Sequence, residues 1–190
     1  MPQIFAIDCP LPTLASTAKL GRALASTIAT KMTSTMACTT RTRPTNGQET
    51  GLVIALKGPV GAGKTTLARA IIAALTGEDD VASPTFGLVT TYETPIGPSI
   101  RHIDLYRLED REDVWELGLE DAMTEDICLI EWPDLIVDLL PPTTLLVDLS
   151  ASNGARRATL KWQENLPSNN QVPSVWSALN QRINPAEIAR

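Results

Sequence analysis

A glycine-rich segment, residues 58–65, carries the residue types that bind phosphate groups. It reads Gly-Pro-Val-Gly-Ala-Gly-Lys-Thr, which matches the pattern G-x-x-x-x-G-K-T. The glycines let the backbone turn tightly and aim its N–H groups at phosphate oxygens, with the positive end of a following helix behind them. In this pattern Lys64 reaches the β- and γ-phosphates of a nucleotide, and the Thr65 hydroxyl ligates Mg²⁺. The segment therefore predicts a nucleotide-binding P-loop; a glycine-rich turn without a ligand is the alternative.

An apolar segment that ends in a carboxylate, and a second segment with a weaker version of the same layout, could complete such a site. Residues 127–131 read Ile-Cys-Leu-Ile-Glu and end in Glu131, and residues 100–104 read Ile-Arg-His-Ile-Asp and end in Asp104. P-loop enzymes commonly hold Mg²⁺ with an acid at the end of a buried strand, beside the phosphates. Glu131 and Asp104 are therefore candidate catalytic residues, although either could be an ordinary salt-bridged acid.

Two further polar residues have positions of interest. Thr85 ends a Ser-Pro-Thr turn that follows the P-loop helix, where several P-loop proteins carry a mobile hydroxyl that senses the γ-phosphate. That turn is weak evidence when taken alone. His102 lies inside the segment 100–104, and a lone histidine on a strand is more typical of a structural residue than of a ligand.

The residues around the glycine-rich segment predict a strand before it and a helix after it. Residues 52–56 form a compact apolar run, which favours a buried parallel strand. Residues 64–76 place Leu67, Ile71 and Leu75 on one face, which predicts a helix, and Gly77 suits its C-terminal cap. This order of strand, loop and helix is the context in which the motif binds phosphate.

The rest of the chain alternates strand-like and helix-like segments. The predicted strands are residues 3–7, 86–92, 100–105, 127–132, 143–149 and 155–162, and the predicted helices are residues 13–30, 110–123 and 174–183. Short turns join 86–92 to 100–105 and 143–149 to 155–162, so both pairs are expected to form hairpins.

These elements predict an α/β fold: a P-loop NTPase-like three-layer sandwich with a mixed, mostly parallel central sheet and added β-hairpins. Residues 1–165 are expected to form one ATPase domain, and residues 166–190 a C-terminal extension. Residues 31–51 are rich in Thr, Arg, Pro and Asn and lack periodicity, which predicts an exposed insertion loop.

Composition narrows the class of protein. The chain has 190 residues, of which 43% are apolar, and this suffices for one core. Its net charge of −6 argues against a broad surface for gripping nucleic acid, so any contact with RNA is expected to be indirect. We find no candidate membrane span or signal peptide, and we expect a cytoplasmic protein. The three cysteines, Cys9, Cys38 and Cys128, are odd in number and widely spaced, which argues against a disulfide frame or a zinc site.

Four motifs in series resemble one protein family. They are GPVGAGKTT, SPTFGLVTTYE, HIDLYRLED and ICLIEWPD, in this order and at these spacings. The sequence resembles the TsaE (formerly YjeE) family, the ATPase subunit of the bacterial machinery that makes N6-threonylcarbamoyladenosine in tRNA next to the anticodon. The resemblance covers roughly residues 13–154. The loop 31–51 and the tail beyond Trp162 depart from the family pattern.

The resemblance implies ATP and Mg²⁺ as cofactors and assigns roles to individual residues. Lys64 and Thr65 would bind nucleotide and Mg²⁺, Glu131 would be the second metal-site acid, Asp104 would act in hydrolysis, and Thr85 would lie in a switch-like segment. Thr17 and Gly154 fall where the family contacts the base end of the nucleotide. The full set expected to bind nucleotide is Gly58, Gly61, Ala62, Gly63, Lys64, Thr65, Thr66, Thr17 and Gly154.

The resemblance also implies partners and a mode of action. The partners are the threonylcarbamoyl transferase subunit and its paralogous scaffold subunit, and the ATPase would drive or reset their complex. A small-molecule P-loop kinase is the alternative function. Such an enzyme usually needs a basic lid, whereas the segment 109–126 is strongly acidic and would repel a phosphorylated acceptor. A signalling GTPase is a third idea, but the chain has no N-K-x-D run to recognise guanine.

Overall fold

Seven strands form one mixed sheet in the computed structural model. The structure describes residues 3–38, 51–78, 80–84, 87–95, 97–152, 154–164 and 175–190. The strands are β1 Gln3–Pro10, β2 Leu52–Lys57, β3 Val89–Tyr92, β4 Ile100–Asp104, β5 Ile127–Glu131, β6 Leu145–Ser152 and β7 Ala155–Glu164. Their order across the sheet is β1-β7-β6-β2-β5-β4-β3. The four adjacent strands β6, β2, β5 and β4 run parallel, and antiparallel pairs flank them on both sides. The predicted mixed sheet with added hairpins is confirmed.

The strands β2 and β5 are apolar up to their last residues, Lys57 and Glu131, because both faces of the sheet are covered. Every residue of β5 is buried, and so are the first five residues of β2. Along β2, Ile54 belongs to the larger of two apolar cores, while Val53 belongs to the smaller core on the opposite face. Continuous apolar runs of this kind are expected where helices pack on both sides of a parallel sheet.

Helices form the two outer layers. They are α1 Leu14–Cys38, α2 Lys64–Thr76, α3 Glu112–Trp115, α4 Leu119–Glu125, α5 Leu179–Arg182 and α6 Pro185–Ala189, with 3₁₀ turns at Pro133–Ile136 and Val175–Ala178. Residues of α1, α2, α5 and α6 contribute to the larger core, and residues of α3 and α4 contribute to the smaller one. The predicted three-layer α/β sandwich is therefore confirmed. Among the described helices, none combines the length and apolarity that crossing a bilayer requires.

Helix α1 begins as predicted but extends further than expected. The Thr13 hydroxyl accepts a hydrogen bond from the backbone N–H of Ser16, which caps the first turn. The helix continues to Cys38, so the expected loop was wrong for residues 31–38, while residues 39–50 lie outside the described residues. Residues 31–38 contain no Pro or Gly that would stop the helix. The Thr33 hydroxyl donates to the carbonyls of Ala29 and Thr30 in the preceding turn, an arrangement that a helix accommodates.

Other elements also differ from the sequence prediction. The single helix expected over 110–123 is two short helices, because Gly118 adopts a left-handed φ of 61° between them. Strand β1 continues to Pro10, beyond the predicted end at residue 7; as an edge-strand residue, Pro10 needs no ladder donor. Helix α6 was not predicted, although Asn184 caps it and Pro185 opens it.

The C-terminal residues 175–190 pack on the same core as the P-loop helix. Trp176 is fully buried, and its indole N–H donates to the Thr143 carbonyl across 2.8 Å. Arg182 donates to the hydroxyls of Ser26 and Thr30 on α1. This segment therefore ties α1 to the start of β6.

Candidate functional site

The loop between β2 and α2 has the conformation that its glycines permit. Gly58, Gly61 and Gly63 have φ values of 131°, 77° and 106°, in the region that favours glycine. At Gly58 a Cβ atom would also collide with the carbonyl oxygen of Leu149 on β6. The loop thus passes against β6 before α2 begins at Lys64, and the first turn of a helix has backbone N–H groups without partners inside the helix.

The Lys64 ammonium lies inside this loop. Its Nζ donates to the carbonyl of Gly58 across 2.7 Å and to that of Pro59 across 3.0 Å. The same Nζ lies 3.6 Å from the ring centroid of Trp132, close enough for a cation–π interaction. Burial lowers the pKa of Lys64, while the nearby carboxylates of Glu131 and Asp104 act in the opposite direction. The ammonium is therefore held inside the loop by two carbonyl acceptors and one aromatic ring, none of which carries a charge.

Three side chains from three elements form a hydrogen-bonded chain beside the loop. The Thr65 hydroxyl, in the first turn of α2, donates to Glu131 Oε2 at the end of β5 across 2.9 Å. The other carboxylate oxygen, Oε1, lies 2.8 Å from Nε2 of His102 on β4. Glu131 and His102 have side chains only 2% and 0% exposed. A buried carboxylate with both oxygens engaged is fixed in one orientation.

Asp104 lies next to Glu131 because β4 and β5 are parallel and in register. The two residues are direct partners across the strand pair. Asp104 Oδ1 accepts a hydrogen bond from the Tyr106 backbone N–H across 3.1 Å. Carboxyl ends of parallel strands meet at one edge of a sheet, which is where open α/β proteins bind ligands. Both predicted acids therefore reach the same edge as the P-loop.

An open pocket of about 260 Å³ lies between the P-loop and this pair of acids. Its lining combines backbone of the loop, hydroxyls, carboxylates and two aromatic rings. The lining residues are Val60, Gly61, Gly63, Lys64, Thr65, Thr66, Asp104, Tyr106, Glu131 and Trp132. A second, smaller cavity of about 90 Å³ lies among apolar side chains of α3 and α4 on the other side of the sheet, away from these groups.

The remaining predicted site residues have different positions. Ala62 is buried in the larger core, and its N–H donates to the Pro59 carbonyl. Thr17 is buried in the first turns of α1, and Gly154 turns between β6 and β7 with φ 78°; neither is among the described residues that line the pocket. Thr85 lies outside the described residues.

Two aromatic residues of the pocket were not singled out from the sequence. Trp132 follows Glu131 directly and has a left-handed φ of 57°, which turns its ring over the Lys64 ammonium. Tyr106 packs on that ring with centroids 4.8 Å apart and is otherwise largely exposed. The signal available was the Glu-Trp-Pro sequence, in which an aromatic residue follows a candidate metal-site acid at the end of a strand.

The donor set suits a hard cation. A hydroxyl and two carboxylates converge at the sheet edge, and Mg²⁺ prefers oxygen ligands and usually completes its shell with waters and substrate phosphates. The Thr65 hydroxyl gives its hydrogen to Glu131, so its lone pairs remain available to a metal ion. Within the described ranges no group of three or more His, Cys, Asp and Glu residues could cage a metal by itself.

Comparison with known proteins agrees with this geometry. A family model described as "Threonylcarbamoyl adenosine biosynthesis protein TsaE" matches residues 11–159. The chain is similar to a tRNA threonylcarbamoyladenosine biosynthesis protein TsaE of Haemophilus influenzae, at 39% identity over 64% of this chain and 77% of the relative. A TsaE protein of Rickettsia bellii is 42% identical over 55% of this chain and 73% of its own length.

A solved structure supports the fold alone. The crystal structure of YdiB from Bacillus subtilis superposes with a TM-score of 0.58 at 22% identity and covers 95% of this chain and 97% of its own. The family model matches residues 11–159, which is most of the chain, and this match shows that the chain belongs to the TsaE family.

Proposed function

We propose that this chain is a Mg²⁺-dependent ATP hydrolase that acts in the cytoplasm in the formation of threonylcarbamoyladenosine in tRNA. The biosynthetic role is suggested by the names of its relatives. The observation that carries the enzymatic part is the contact between Thr65 Oγ1 and Glu131 Oε2, 2.9 Å long, at the mouth of a P-loop. It joins the hydroxyl and the acid that P-loop NTPases use around their metal ion.

Phosphate binding would fall to the loop and to Lys64. The N–H groups at the start of α2 lack partners within the helix and would donate to phosphate oxygens. Lys64 now bonds two neutral carbonyls, those of Gly58 and Pro59, and a charged phosphate oxygen would be a stronger acceptor. A short movement of the ammonium would therefore exchange these partners for the β- and γ-phosphates.

Thr65 and Glu131 would hold Mg²⁺, and the ion would offset charge on the phosphate oxygens. In hydrolysis a water oxygen forms a bond to the γ-phosphorus, and the bond from that phosphorus to the β,γ-bridging oxygen breaks. Asp104 lines the pocket beside Glu131 and would orient that water and take up its proton. We assign the γ-phosphate-sensing role to Thr85.

Weak activity of the isolated chain is part of the proposal. The described lining residues include no arginine that could stabilise the charge of the transition state. We infer that the threonylcarbamoyl transferase subunit and its paralogous scaffold subunit complete the site when they dock. Hydrolysis would then be coupled to the state of that complex, and contact with tRNA would be indirect.

Calorimetric titration with ATP, once with Mg²⁺ and once with EDTA, tests the proposal. We expect Mg²⁺ to strengthen binding, and we expect Lys64→Ala to remove binding in both conditions while the thermal melt stays unchanged. Lys161→Ala is the matched control, since Lys161 is an exposed lysine of β7 that does not line the pocket. Equal affinities for the wild type and Lys64→Ala would contradict the assignment. Analysis of the reaction products distinguishes a hydrolase from a kinase. Transfer of the γ-phosphate of ATP to an added metabolite, instead of release as free phosphate, would favour a kinase.

A further inference from the structure

His102 is the only histidine in the sequence, and the candidate site as described gives it no chemical task. It lies on β4 with a fully buried side chain, and its Nε2 is 2.8 Å from Glu131 Oε1. Its other ring nitrogen, Nδ1, is buried without a hydrogen-bond partner among the described residues. A buried polar side chain that leaves one of its atoms unpaired requires an explanation.

The partners fix which ring nitrogen carries the proton. An ionised carboxylate only accepts hydrogen bonds, so the short contact requires a hydrogen on Nε2. A hydrogen on Nδ1 would be a buried donor with no acceptor among the described residues, which costs more than leaving a single lone pair unused. In the Nε2–H form that these contacts favour, His102 donates a hydrogen bond to Glu131 Oε1.

This donation limits how the Glu131 carboxylate can turn. The last torsion of a glutamate side chain is broad, so a carboxylate held by a single partner can rotate. In this protein Oε1 is held from β4 by His102, and Oε2 then faces the Thr65 hydroxyl on α2. The two contacts lie on opposite oxygens, so together they set the plane of the carboxylate.

We propose that His102 is a positioning residue for Glu131: it holds the carboxylate so that Oε2 meets Thr65, and it thereby sets how strongly Mg²⁺ increases nucleotide affinity. The proposal rests on the Mg²⁺-nucleotide site proposed above. Groups that hold a metal-site residue from behind typically contribute about 10- to 100-fold to metal affinity. His102 touches neither the metal nor the nucleotide in this role.

The test compares two substitutions of His102 with a control from the same strand. His102→Leu removes the donor, and His102→Gln can place an amide N–H near the position of Nε2. Ile100→Val is the control, since Ile100 is fully buried on the same strand and belongs to the larger core. ATP affinity is measured for each protein with Mg²⁺ and with EDTA, and the ratio of the two is the gain due to Mg²⁺.

We expect His102→Leu to reduce this gain by about 10-fold or more, His102→Gln to recover part of it, and Ile100→Val to leave it unchanged. Affinity in EDTA should be the same in all four proteins. A residue with only a structural role would lower the melting temperature without changing the gain. A full gain in His102→Leu would therefore overturn the proposal and leave the proposed function standing, whereas no gain in the wild type would overturn both.

A second measurement needs no variant of His102 and holds even if His102→Leu fails to fold. Because the chain has one histidine, ¹⁵N NMR of labelled protein reports its ring without overlap. We expect a hydrogen on Nε2 and none on Nδ1, and we expect Glu131→Gln to shift the Nε2 resonance. A hydrogen on Nδ1 would overturn the proposal, and so would an Nε2 resonance that stays unchanged in Glu131→Gln.

Discussion

The Thr65 hydroxyl and Glu131 Oε2, 2.9 Å apart, connect the first turn of the P-loop helix to the end of the central strand β5. This contact crosses from one layer of the fold to the next and depends on the sheet order, in which β5 lies directly beside β2. The carboxyl ends of these parallel strands thus place the acid beside the phosphate loop.

Replacing Glu131 by Ala should weaken Mg²⁺-dependent nucleotide binding and turnover together. The change removes the carboxylate and leaves both Thr65 and His102 without their partner. We expect Mg²⁺ to increase ATP affinity at least about 10-fold less than it does in the wild type. We also expect the free energy of unfolding to fall by about 1–3 kcal/mol, because buried polar groups are left unpaired. Calorimetry with and without Mg²⁺, beside a denaturant melt, measures both. Wild-type affinity and turnover would exclude Glu131 from the site.

Asp104→Ala should reduce turnover more than binding. Asp104 lines the pocket and accepts only one described hydrogen bond, from the Tyr106 backbone, so its removal leaves no buried partner unpaired. Loss of a group that takes a proton from water is expected to slow hydrolysis by about 100-fold or more. Steady-state phosphate release and ATP affinity are measured on the same preparation. Equal losses in both would mean that Asp104 serves binding rather than the chemical step.

Two glycines of the P-loop should respond differently to alanine. Both Gly58 and Gly61 have positive φ, and holding an alanine in such sparsely populated conformations costs about 1–3 kcal/mol. Only at Gly58 would the new Cβ meet the Leu149 carbonyl, whereas nothing lies within 4 Å at Gly61. Gly58→Ala should therefore lower the free energy of unfolding by about 1–3 kcal/mol more than Gly61→Ala does, because the new methyl group overpacks its site. Urea unfolding of the pair checks this, and equal stabilities would show that the loop shifts freely away from β6.

The two described buried thiols predict a loss of stability at high pH. Burial raises the pKa of Cys9 to about 11 and that of Cys128 to about 12, from an ordinary value of 9.0. Above pH 9.0 the unfolded thiols lose their protons while the folded ones keep them. The folded state then binds more protons, so the free energy of unfolding falls as pH rises, by about 1.4 kcal/mol per pH unit for each thiol.

Denaturant unfolding between about pH 8 and about pH 11 measures this slope. A variant carrying Cys9→Ala and Cys128→Ala should lose stability less steeply than the wild type over the same range. Lysines and tyrosines also titrate at high pH, so the contribution of the thiols is the difference between the slopes of the two proteins. Identical slopes would mean that the thiols ionise as readily in the folded protein as in the unfolded chain.

Local patterns were sufficient to predict the elements that carry the P-loop. The apolar run of β2, the periodicity of α2 and the Gly77 cap are properties of adjacent residues, and the structure places all three as expected. The acids at the ends of β4 and β5 were singled out as candidates, because a carboxylate at the end of a strand-like segment is a local signal. Their pairing in one register follows from the parallel order of the strands.

The parts that were missed depend on contacts between distant residues or on a local break. Nothing near His102 in sequence indicates that it bonds Glu131, which lies on the neighbouring strand. Trp132 reaches Lys64 only through a left-handed backbone turn. Gly118 divides a region whose helical pattern looked continuous, and residues 31–38 remain helical although their composition resembles that of a loop.

Phosphate release from ATP, measured as the two partner subunits are added one at a time, tests the central claim most directly. We predict slow, Mg²⁺-dependent release by the chain alone, a marked increase only when both partners are present, and no increase with Lys64→Ala. Lys161→Ala should behave as the wild type, which separates loss of a lysine from loss of the site. Fast release that is independent of the partners would contradict the coupling. Partner-stimulated release that survives Lys64→Ala would contradict the assignment of the P-loop as the site of hydrolysis.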